Sequence, residues 1–198
     1  MSSSPLPAVA AFVLVLSLLS SCTTVDPQTA AKLAALSPLD ADPGQLRVAI
    51  KLPAPLELGN GNALLTMGWS PGGGVPIHHT YRLNVTETPN AIAGLEVLLG
   101  PGEKLVVLSL AARDVVGLRA FQGKIRAEKQ EGSDGKGSLS VRISGGCWQG
   151  DFPAATSRLP FEIWLRTSPH EDYLPLVQNA NLMDGLSPAG VTTIQRCS

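Results

Sequence analysis

Hydrophobic positions recur at every second residue through much of this chain. Leu46, Val48, Ile50 and Leu52 alternate with Arg47, Ala49 and Lys51, the period of a strand that buries one face. Pro53 and Pro55 end that run, and Gly59-Asn60-Gly61-Asn62 signals a turn. Leu65, Met67 and Trp69 share the next face, with Thr66 and Gly68 opposite. Beyond the Pro71–Gly74 loop, Tyr81, Leu83 and Val85 alternate with Arg82, Asn84 and Thr86. Leu95–Leu99 and Lys104–Leu110 are apolar runs around Gly100-Pro101-Gly102. They predict a hairpin whose second strand is buried on both faces. Leu139, Val141 and Ile143 alternate with Ser140, Arg142 and Ser144. Leu159, Phe161, Ile163 and Leu165 form the most regular strand pattern, with Glu162, Trp164 and Arg166 on its other face. A last strand is expected over Tyr173–Val177 and a short helical turn over Asn181–Leu186.

The period changes once. From Asp114 to Gln130, Val115, Leu118, Phe121 and Ile125 recur at three- and four-residue spacings, and Arg119, Lys124, Arg126, Glu128 and Lys129 fall elsewhere on the wheel. This predicts one amphipathic helix over about 114–130, with Asp114 as its N-cap and Gly132 as its stop. Gly117 and Gly123 each weaken it by about 1 kcal/mol relative to Ala, so it depends on packing against a sheet. The expected fold is therefore α+β, mainly antiparallel β, arranged as a twisted sheet or sandwich with that one helix.

Composition narrows the partners. The chain has 198 residues, 15 basic and 16 acidic, for a formal net charge of −1. A nucleic-acid partner would demand a basic balance, so none is expected. Charged residues are 16%, below the roughly 25% usual for soluble domains, and the 20 glycines and 16 prolines punctuate many short elements.

The amino-terminal stretch is different in kind. Ala8–Leu19 is apolar and would span about 18 Å as a helix, short of the roughly 30 Å hydrocarbon core but right for the central region of an export signal. It ends in Leu19-Ser20-Ser21-Cys22. This sequence resembles the lipobox of bacterial lipoproteins. The resemblance covers the first two dozen residues; the body resembles uncharacterised envelope lipoproteins in type only. It departs from the pattern in one respect, because no Lys or Arg precedes Lys32.

The resemblance implies a sequence of expectations. Residues 1–21 would be a signal peptide, 22–44 a lipidated N-terminus and linker, and 45–198 a single periplasmic β-rich domain. Cys22 would carry the diacylglycerol and palmitate that hold the protein on a membrane. Two or three acyl chains give stable attachment where one gives marginal binding. Thr23 in place of an Asp leans the address toward the outer membrane, facing the periplasm. With Cys22 lipidated, Cys147 and Cys197 remain as one pair, and an oxidising compartment favours their disulfide bond.

Candidates for chemistry are few. His78 and His79 are neighbours, so a regular strand would turn them to opposite faces; in a loop they could share a metal with a carboxylate. His170-Glu171-Asp172 reads as a turn. No His-Glu-x-x-His helix or phosphate loop occurs. No catalytic residue, metal ligand or cofactor is therefore assigned. Trp164 lies on the polar face of its strand, and is either a contact surface or covered by the helix or a loop. The expectation is a non-enzymatic, lipid-anchored platform that binds an envelope partner or serves an assembly. The alternatives are a periplasmic hydrolase or metal-dependent enzyme using His78 or His79, and a carrier of an apolar ligand.

Overall fold

A computed structural model describes residues 39–86, 92–93, 95, 97–154, 157–185 and 193–198. Cys22 and the whole expected signal peptide lie outside the described residues. The chain is mainly antiparallel β, built on a sheet curled into a half-barrel. Its strands are β1 (Arg47–Pro53), β3 (Ala63–Pro71), β4 (Ile77–Val85), β5 (Glu103–Leu110), β6 (Gly135–Ile143), β8 (Pro160–Arg166) and β9 (Leu174–Asn181), in the spatial order β6-β3-β4-β5-β1-β8-β9. Every neighbouring pair in it is antiparallel. A second sheet sets β7 (Gly145–Trp148) between β2 (Leu56–Glu57) and β10 (Thr193–Arg196), with β10 and β7 parallel.

The alternation read from sequence becomes two faces of the large sheet. The inward face buries Ile50 of β1, Leu65 and Met67 of β3, Leu83 of β4, Leu108 of β5 and Leu165 of β8 in one core. Leu56 and Trp148 of the small sheet join that same core. Part of the outward face is covered as well. Ala49, Val107 and Trp164 form a second buried cluster with Tyr173, and Leu95 and Val97 pack against it. Val107 and Leu108 are thus buried on opposite faces of β5. Residues 97–99 form no strand, so the predicted hairpin partner of β5 serves as a cover instead. Leu95 and Val97 supply that cover, while Leu98 and Leu99 are exposed.

Helix α1 (Ala112–Gln130) follows β5 directly. Its N-cap is Ala111, which makes no side-chain cap bond, and Asp114 sits in the first turn. The expected cap is therefore displaced by three residues. Its charge there still complements the positive end of the helix dipole. The other end is closed by a Schellman arrangement: the Gly132 amide donates to the Lys129 carbonyl and the Ser133 amide to the Glu128 carbonyl. Gly132 has φ 85°, a left-handed conformation that a Cβ disfavours. Leu118, Phe121 and Ile125 are buried, each worth about 1.5–3 kcal/mol, enough to outweigh both helix-interior glycines.

Residues 39–44, read as linker, run along α1. Gln122 donates to the Ala41 carbonyl at 2.9 Å and Arg126 to the Leu39 carbonyl at 3.0 Å. Arg119 bonds Asp42 at 2.7 Å. The Gly44 amide, and then the Arg119 guanidinium, hold the Asp42 carboxyl below the ordinary carboxylate range. The packed body therefore begins at least as early as Leu39, whose side chain is buried in the main core.

Tyr81 stands out within the core. Its hydroxyl is buried without a hydrogen-bond partner among the described residues, and burial, then the nearby Asp114 charge, push its pKa up. A buried unpaired hydroxyl costs about 1–3 kcal/mol. Tyr81→Phe removes that cost with little change in shape. We expect it to raise stability by about 1 kcal/mol, seen as a higher urea midpoint at unchanged slope.

Candidate functional site

Strand alternation dictates which side chains leave the core between β6, β3 and β4. On β3 the outward positions are Leu64, Thr66, Gly68 and Ser70; on β4 they are His78, Thr80, Arg82 and Asn84; on β6 they are Lys136, Ser138, Ser140 and Arg142. Register sets these in rows. Arg142 and Arg82 flank Leu64, Ser140 and Thr80 flank Thr66, and Ser138 and His78 flank Gly68. The Thr66 and Thr80 hydroxyls bond at 2.9 Å. A Cβ at Gly68 would collide with His78 Nδ1 and Ser138 Oγ, so the glycine lets both side chains lean across β3.

This face is hydroxyl-rich and basic. No Asp or Glu occupies any of its outward positions. Among the described residues no ion pair engages Arg82, Lys136 or Arg142. The other half of the same sheet face contrasts with it. There Lys51 bonds Glu162 at 2.9 Å and reaches Glu103 at 3.8 Å. The Arg166 guanidinium sits 4.7 Å over the Tyr173 ring and donates to the Ala93 carbonyl at 2.6 Å. Burial raises the Tyr173 pKa, against the opposing pull of Arg166 and Arg47.

The residues singled out from sequence fall as follows. His78 and His79 both lie on β4 and face opposite ways. His79 turns inward, with its ring 4.5 Å from that of Phe121 on α1. The two imidazoles therefore do not converge on one metal, and no metal-binding cluster of His, Cys, Asp and Glu occurs among the described residues. His170 lies in the turn between β8 and β9, where the Thr167 hydroxyl donates to the Glu171 carboxylate. Trp164 is 8% exposed. Tyr173 shares its buried cluster, and Leu95 and Val97 pack against that cluster, so its side chain is covered. Cys147 and Cys197 are joined by a disulfide with Cα atoms 4.9 Å apart.

The basic face itself was missed in sequence. Each strand showed its polar residues separately, but β6 lies beside β3 although a helix and two strands intervene in the chain. Only that crossover gathers Lys136, Arg142 and Arg82. No helix among the described residues is long and apolar enough to cross a membrane. No protein family, characterised protein or solved structure matches this chain.

Proposed function

We propose that this chain is a lipid-anchored bacterial envelope protein. Its acylated Cys22 holds a β-rich body at the outer membrane facing the periplasm, where the body acts as a non-enzymatic binding or assembly platform. The observation that carries this reading is the Leu19-Ser20-Ser21-Cys22 sequence at the end of the Ala8–Leu19 apolar run. The cysteine pairing supports it. Of three cysteines, Cys147 and Cys197 engage each other, which leaves Cys22 for lipid. Exported chains meet the oxidising conditions in which such a bond persists. Helix α1 is the amphipathic brace of this platform, seated by Leu118, Phe121 and Ile125 against the sheet.

Metabolic labelling with palmitate tests the anchor. The wild-type chain should take up label and be processed in a globomycin-sensitive step, and both should vanish in Cys22→Ala. Label surviving that substitution would refute the assignment. For the platform, crosslinking in intact cells should capture a recurring envelope neighbour through the body. A chain that stays monomeric and captures nothing would count against it.

A further inference from the structure

From the outward face of β6, β3 and β4 we infer a second point of membrane contact, one that docks on anionic lipid headgroups. This rests on the anchor reading, which takes Cys22 to hold the body at a bilayer. Two observations carry it. The first is charge: Lys136, Arg142 and Arg82 share the face with no carboxylate at any outward strand position, and no ion pair neutralises them among the described residues. The surrounding chain is slightly acidic overall, so the basic character is local rather than general. The second is shape. Lys136 and Arg142 stand six residues apart along β6, about 20 Å, too far to share one phosphate. Rows of serine and threonine hydroxyls between them can donate to phosphate oxygens. Such a face suits a planar array of anions better than a single enclosed one.

An anchored lipid and a basic patch together give the two signals that stable membrane association uses. Each Lys or Arg near an anionic bilayer contributes about 1 kcal/mol and loses it as salt screens the surface.

The test uses the chain from residue 22 with Cys22→Ser, which keeps every described residue and removes the acyl group. It should sediment with phosphatidylcholine vesicles containing phosphatidylglycerol, not with phosphatidylcholine alone, and release as salt rises. Arg82→Gln with Arg142→Gln should lower partitioning about thirtyfold, from two cations at about 1 kcal/mol each. Arg113→Gln with Lys124→Gln, an equal charge change on α1, should leave it unaltered. Should the arginine pair compromise folding, judged by near-ultraviolet circular dichroism, Lys136→Gln alone should give about a fivefold drop. Equal binding by the face variants overturns the proposal. So does equal binding to neutral vesicles, or retention on heparin without vesicle binding, which would mark a soluble polyanion as the partner. Because acylation plays no part in this assay, docking can fail while palmitate labelling succeeds, and the reverse.

Discussion

Trp69→Ala should cost about 3–5 kcal/mol, a large share of the 5–15 kcal/mol that holds an ordinary domain together. Trp69 is 1% exposed and fills the space between the end of β3 and the last turns of α1. Its indole Nε1 donates to Glu128 Oε2 at 2.8 Å, and Lys129 Nζ stands 5.4 Å over the ring. The ring also lies so close to Gly135 that a Cβ there would run into it. Truncation leaves a cavity, an exposed edge of α1 and a Glu128 carboxylate without its donor. Trp69→Phe separates these effects. It retains most of the apolar contact and loses the hydrogen bond, for about 1.5–3 kcal/mol, as befits a bond to a charged acceptor. Urea unfolding followed by far-ultraviolet circular dichroism checks both. A loss under about 1 kcal/mol for Trp69→Ala would show that β3 and α1 hold together without this wedge.

Removing the disulfide should have a comparable effect. Cys147 and Cys197 are separated by 50 residues, and closing a loop of that length in the unfolded chain is worth about 4 kcal/mol in the chain-entropy model. The bond links the centre of β7 to the residue after β10, whose strands already pair in parallel, and the Cys197 amide donates to the Trp148 carbonyl at 3.0 Å. Cys147→Ser with Cys197→Ser should lower the melting temperature by about 8–16 °C, at 2–4 °C per kcal/mol for a chain of this size. Replacing both avoids a stray thiol. Scanning calorimetry measures the shift. A change of only a degree or two would mean that the unfolded chain is already restricted between these positions.

The local periodicities were legible in sequence because each strand buries one face. Leu65, Met67 and Trp69 on β3, Tyr81 and Leu83 on β4, and Ile163 and Leu165 on β8 all point to the core as their alternation predicted. What failed was anything set by distant partners. β2, β7 and β10 have 2, 4 and 4 residues, too few for a period to show, and exist through pairing with one another. His78 and His79 were ambiguous between loop and strand until β3 paired with them through Gly68 and Met67. Trp164 seemed misplaced on a polar face because its cover comes from Leu95, remote in the chain, and from Tyr173 beyond the turn that follows β8. The basic face was hidden for the same reason, since neighbouring strands in space are not neighbours in order.

Because the large sheet never closes on itself, β6 ends it with one row of amides and carbonyls that no strand pairs among the described residues. Such a border invites a stray extended peptide to add on, and natural sheets deter this with lysine or other charges along the edge. Lys136 and Arg142 occupy that border. Whatever else they bind, they would also discourage polymerisation, so neutralising them carries a hazard of fibrous assembly that no melting experiment on dilute protein would disclose.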